Sequence, residues 1–120
     1  EFDPMLARII PSYKKLSQIQ TPPPSRLMVF LDVHEEAIVD SLFGIPTAQI
    51  SSNPREWWDI PADRHQQGCN LSFADGHVEH WRWRVPKIVR VRWAAQLVPD
   101  DELPDYQRVQ QAVRQSWDSP

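Results

Sequence analysis

A chain of 120 residues is long enough for one domain with a single modest core. With 41% apolar and 24% charged residues, general disorder is excluded, and a net charge of −3 gives no global attraction for nucleic acid. Twelve prolines against three glycines imply extended connections and short elements rather than a helical bundle.

Glu1-Phe2-Asp3-Pro4 reads as a cloning remnant, which leaves Met5 as either a native start or the first residue of a trimmed chain. No run approaches the roughly 18 apolar residues of a membrane span, and no signal-peptide core follows Met5, so this chain itself is expected to make no membrane contact. Tyr13, Leu16 and Ile19 lie at helical spacing behind Pro11, predicting a helix of one or two turns. Pro22-Pro23-Pro24 then imposes an extended lead-in. Leu27 to Val33 is apolar on both faces, the pattern of a central buried strand. His34 to Gly44 fits a short helix or a wide loop. Residues 45–69, with Pro46, Pro54, Pro61 and Gly68, read as a long irregular excursion pinned by Trp57 and Trp58.

Asn70 to Arg84 is the clearest element. Asp75-Gly76 between alternating residues signals a hairpin with a two-residue type I′ turn. That register pairs Ala74 with His77, Phe73 with Val78, Ser72 with Glu79 and Leu71 with His80. Phe73, Val78, Leu71 and His80 would share one face; Ser72, His77, Glu79, Trp81 and Trp83 would share the other. A third strand is expected after Pro86, with Val89, Val91 and Trp93 on one side and Ile88, Arg90 and Arg92 on the other. Asp100-Asp101 is expected to cap a closing helix whose Tyr106, Val109, Val113 and Trp117 form an apolar stripe. The sum is a single α+β domain over 1–120. It comprises a lead-in over 5–24, a core antiparallel sheet and loop over 25–93, and a helix over 100–117.

Three constellations carry candidate chemistry. Asp32, His34, His65, Asp75 and His77 bring imidazole and carboxylate together, the donor types a borderline metal such as zinc accepts in a structural or a hydrolytic site, at a spacing that fits no zinc signature. His77 and His80, three apart on a strand, point to opposite faces and cannot share one ion. The alternative is a set of hydrogen-bonded turn residues without any cofactor. Cys69 near His65, and Ser72 across the ladder from His77, are nucleophile and base pairs that lack a third group to orient the base, so no catalytic residue is assigned. Trp81, Arg82, Trp83, Arg84, Arg90, Arg92 and Trp93 interleave cations and aromatics. Such a stripe suits single-stranded nucleic acid, and equally a solvated sheet face with arginine stems lying over tryptophan rings. Six tryptophans are many for this length, and some are expected to line an interface or a groove.

Phe30-Leu31-Asp32-Val33-His34-Glu35, then Trp58-x-x-Pro61-Ala62-x-x-His65, then Leu71-Ser72-Phe73-Ala74-Asp75-Gly76-His77-Val78-Glu79 resemble the bacterial prepilin-type proteins of the His-x9-Asp-Gly signature. The likeness runs from about Pro24 to Trp93. It implies a type IV pilin-like or pseudopilin-like layout, in which an N-terminal hydrophobic helix builds the filament core and a globular head with an antiparallel sheet sits outside. This chain would be part or all of such a head, with no prepilin cleavage motif or hydrophobic helix in it. The signature residues carried over are His65, Asp75 and Gly76, with Asp32 and His34 upstream. The expected role is non-enzymatic, structural or protein-binding, with self-association, as a homodimer through a sheet edge, as one form of it. The His65 imidazole is expected to bond Asp32 or backbone near the turn and so brace the long loop. An upstream helix would place the protein in the cell envelope or outside; a native start at Met5 would place it in the cytoplasm.

Overall fold

A computed structural model describes residues 13–38, 43–46, 55–64, 66–91 and 94–115. Among the described residues five strands and one α-helix follow in chain order: β1 (Met28–Leu31), β2 (Glu56–Trp57), β3 (Gly68–Phe73), β4 (Val78–Arg82), β5 (Gln96–Leu97) and α1 (Leu103–Gln110). They form a three-stranded antiparallel sheet in the order β1-β3-β4, and a two-stranded antiparallel ribbon of β2 and β5. The fold is therefore α+β with small antiparallel sheets and a C-terminal helix.

The hairpin turns where the Asp-Gly pair predicts, but not in the predicted register. Type I′ geometry needs φ > 0 at Asp75 as well as at Gly76. Gly76 has φ +93°, and Asp75 is not among the positive-φ residues. The chain instead uses a three-residue loop: Gly76 N donates to Phe73 O at 2.9 Å, and Phe73 N donates to His77 O at 3.0 Å. Ser72 consequently pairs with Val78, Leu71 with Glu79, Asn70 with His80 and Cys69 with Trp81. One added loop residue exchanges the faces of β4 relative to β3. The inward face thus carries Cys69, Leu71 and Phe73 with His77, Glu79 and Trp81; Val78 and His80 turn outward.

β3 rather than β1 is the central strand. Its buried residues alternate with Asn70 and the half-buried Ser72. β1 lies on an edge and carries a bulge at Val29, between the pairs Met28–Phe73 and Phe30–Ser72. A bulge adds one residue and interrupts the alternation of faces. Met28 and Leu31 therefore both pack on the core, while Val29 and Phe30 face outward, Phe30 at 75% exposure.

The excursion over 45–69 is shorter than predicted, because it contains β2 and gives way to β3 at Gly68. Trp57 is buried and meets Tyr106 edge-on at 4.9 Å, so it is a pin; Trp58 is partly exposed, at 39%. The strand predicted directly after Pro86 does not form among the described residues. Residues 83–95 have neither helix nor strand where described, and the ribbon partner of β2 is β5. The N-terminal helix reduces to a 3₁₀ turn at Leu16–Gln18, and His34 opens another at Glu35–Ala37. Thr21-Pro22 is cis.

The closing helix forms without the predicted cap. A 3₁₀ turn at Asp100–Glu102 leads into it, and the Asp100 carboxylate bonds Arg55 at 2.7 Å instead of the helix amides. Tyr106 and Val109 are fully buried, Val113 is half-buried beyond the helix end, and Trp117 lies outside the described residues. The core gathers Trp57, Trp83, Tyr106, Leu71, Val109 and Cys69 between the sheet and α1. Each buried tryptophan contributes on the order of 4 kcal/mol of apolar burial.

Candidate functional site

The three sequence blocks of the resemblance are far apart along the chain and interlocked in space. His34 N donates to Ile60 O at 2.8 Å, Ala62 N to Asp32 O at 2.8 Å, and Asp32 N to Asn70 O at 3.3 Å. Val33 and Pro61 form an isolated bridge. Asp32 follows the last residue of β1, so its exposed carboxylate stands at the strand end, where burial costs it nothing. His34 Nδ1 accepts from Glu36 N at 3.1 Å and caps the 3₁₀ turn.

His65 lies outside the described residues. Its neighbours make a tight reversal in which Arg64 N donates to Gly68 O at 2.8 Å and Gly68 N to Arg64 O at 3.0 Å. Gln66 and Gln67 both adopt left-handed backbone, at φ 68° and 58°. For residues with a Cβ that geometry costs roughly 1–2 kcal/mol each. Gln67 offsets it by gripping Trp83 twice, accepting from Trp83 N at 2.7 Å and donating from Nε2 to Trp83 O at 2.8 Å. The reversal was not legible in the sequence, since neither glutamine is a turn former.

At the hairpin tip His77 sits between two carboxylates. Its Nδ1 bonds Asp75 Oδ1, and its Nε2 lies 2.6 Å from Glu79 Oε2. Asp75 Oδ1 also accepts from His77 N at 3.1 Å, closing the loop from inside. Glu79 Oε1 accepts from Trp81 Nε1 at 2.9 Å, and the imidazole stacks on Phe73 at 4.5 Å between centroids. Two acceptors on two ring nitrogens require both to carry protons, which is the imidazolium. Glu79 first and Asp75 second hold the His77 pKa above its ordinary 6.5. The imidazolium in turn holds Asp75 and Glu79 below the usual carboxylate range. The two acidic residues thus occupy the nitrogens that a metal would need.

This geometry sets a pH dependence. The His77 contribution is complete below the unfolded imidazole value and fades as pH rises through the raised folded value. The carboxylate contributions are complete above their unfolded values and fade as pH falls through the depressed ones. The tip is therefore tightest in the mildly acid window, above the ordinary carboxylate values and below the ordinary imidazole value. His77 followed by NMR should titrate above 6.5. The melting temperature of the wild type should fall on crossing that value from below, and the slope should vanish in His77→Gln. An imidazole titrating at or below its ordinary value would overturn the assignment.

Asp32 and His34 do not join Asp75 and His77, and no group of three or more His, Cys, Asp or Glu side chains placed to hold a metal occurs among the described residues. Cys69 is buried, and burial, followed by the Asp32 charge, pushes its thiol up to about 12, so it stays protonated at neutral pH. Ser72 belongs to the outward face, opposite that of His77, and its buried Oγ has no hydrogen-bond partner among the described residues.

The arginine–tryptophan stripe does not form an interaction surface as a unit. Trp81 and Trp83 are core residues, at 6% and 2% exposure. Trp81 is covered by the Arg108 guanidinium of α1 at 4.2 Å, and Trp83 Nε1 donates to Ala62 O at 2.8 Å. Arg82, Arg84 and Arg90 are exposed; Arg92 and Trp93 lie outside the described residues. The reason is the register: once β4 pairs one residue earlier, Trp81 falls on the inward face with Cys69.

Sequence reasoning missed a second cluster behind Trp83. Lys87, Glu102 and Asp105 are buried charged residues. Lys87 Nζ lies 2.7 Å from Asp105 Oδ2 and 3.7 Å from Glu102 Oε1, and donates to Val85 O at 2.8 Å. Glu102 also accepts from Trp57 Nε1 at 3.1 Å and pairs with Arg90 at 3.4 Å. Nothing in the run of acids from Asp100 to Asp105 marks Glu102 and Asp105 as the buried ones. Among the described residues no helix is long and apolar enough to cross a membrane. No family model matches the chain, and neither a curated protein nor a solved structure matches it.

Proposed function

We propose that the chain is a non-enzymatic head domain of the pilin or pseudopilin kind, with a structural or protein-binding role. The observation that carries this reading is the interlocking of the three sequence blocks through backbone hydrogen bonds. In that arrangement Asp75 and Gly76 build a turn, and Asp32 and His34 terminate β1 and open the next turn. Residues that serve the backbone in this way account for a signature without invoking a substrate. The outward sheet face adds apolar surface suited to assembly, with Phe30, Val29 and Val78 all more than half exposed. The coding DNA upstream of Met5 tests the reading. An in-frame prepilin peptidase site followed by a hydrophobic helix is the expected result. A stop codon directly upstream would overturn it.

A further inference from the structure

Lys87 has no side-chain access to solvent, and the side chains of Asp105 and Glu102 beside it are 4% and 3% exposed. The amine sits 2.7 Å from one Asp105 oxygen with Glu102 Oε1 3.7 Å from the same nitrogen. We propose that Lys87 and Asp105 condense into an amide cross-link tying the unpaired stretch after β4 to α1, with Glu102 carrying the proton.

The arrangement supplies each part such a condensation needs. Lys87 Nζ attacks Asp105 Cγ; the Nζ–Cγ bond forms, one Cγ–O bond breaks, and that oxygen leaves as water. The ammonium sheds two protons and the departing carboxylate oxygen takes up two, so both charges vanish together and no other reactant enters. Glu102 Oε1 receives a proton from Nζ and returns it to the leaving oxygen, a general acid and base role. Negative charge on the tetrahedral intermediate meets fixed donors: Arg84 N bonds the two Asp105 oxygens at 3.1 and 3.0 Å, and Val85 N lies 3.4 Å from Oδ2. Holding amine and carboxyl in contact confers an effective concentration on the order of 10⁵ M or more when the geometry is right. The rings of Trp83, 5.1 Å from Nζ at its centroid, and Trp57, a donor to Glu102, wall the cluster from water and so from hydrolysis. Forming the amide also removes two charges whose burial is costly. With a single cysteine the domain has no internal disulfide, and this link would join residues 18 apart in its place.

Mass spectrometry of the intact full chain under denaturing conditions tests this directly. The expected mass is the sequence mass less one water, with a tryptic digest giving one joined species containing Lys87 and Asp105. A chain at its full sequence mass would overturn the proposal. So would a water deficit mapped to Asp75-Gly76, where succinimide formation loses the same mass. The Glu102→Gln chain should show its own full sequence mass; a joined Lys87–Asp105 species in that variant would overturn the assignment of Glu102.

Discussion

Asp105→Ala should cost about 3–5 kcal/mol of stability relative to the chain whose Lys87–Asp105 pair is still ionic, the loss expected when one partner of a buried charge pair is removed. The carboxylate receives the Lys87 ammonium, Arg84 N on both oxygens and Val85 N. Truncation strands a buried amine and leaves backbone donors without an acceptor, where each unsatisfied group costs roughly 1–3 kcal/mol. Glu102 cannot take over fully, because it is already engaged by Trp57 Nε1 and Arg90. Asp100→Ala is the matching control. Its carboxylate also pairs with a cation, Arg55 at 2.7 Å, but the Asp100 side chain is 96% exposed, so the loss should stay within about 1 kcal/mol. Urea denaturation of the two variants gives the comparison. Equal midpoints would place the Lys87 cluster in solvent and overturn the burial of Asp105.

Gly68→Ala should be nearly as damaging, for a steric reason. A Cβ at Gly68 would lie 2.1 Å from the backbone oxygen of Trp81 and 2.7 Å from His80 Cε1. His80 is a side chain and can swing away; the Trp81 carbonyl belongs to the paired strand and cannot. Gly68 is also tied on its other side to Arg64 by two hydrogen bonds, so the strand has no room to retreat. Relief requires parting β3 from β4 or opening the reversal, and a loss of about 3 kcal/mol or more is expected. The other glycines separate this effect from composition. At Gly76 nothing lies within 4 Å, but φ is +93°, so alanine there should cost roughly 1–2 kcal/mol in backbone strain alone. At Gly44 the nearest atom is Trp58 Cε3 at 3.2 Å, on a partly exposed ring with room to shift, and the change should stay below about 1 kcal/mol. The order Gly68, Gly76, Gly44 in decreasing loss is the measurable result. A Gly68→Ala protein that melts with the wild type would refute the strand pairing at this end of the hairpin.

The candidate site was legible in part. His77 was set beside Asp75 by sequence proximity, and both were singled out, either as donors to an ion or as hydrogen-bonded turn residues. Glu79 completes the clamp because residues two apart on a strand share a face, a relation that the predicted register already contained. What the spacing could not show is that the carboxylates bond the imidazole. The buried Lys87 cluster was invisible for a different reason. Its members lie 15 and 18 positions apart, and nothing local distinguishes a lysine destined for the core from one on a solvated loop.

The sequence by itself determined the α+β class, the place of the hairpin, the C-terminal helix and the burial of Tyr106 and Val109. Each rests on turn chemistry or periodicity that a few neighbouring residues carry. Tertiary structure decided the hairpin register, the central position of β3, the edge position and bulge of β1, and the inward turn of Trp81 and Trp83. These depend on which distant segments supply partners. Because strand faces alternate at every residue, one additional residue in the turn was enough to move two tryptophans from an expected surface into the core.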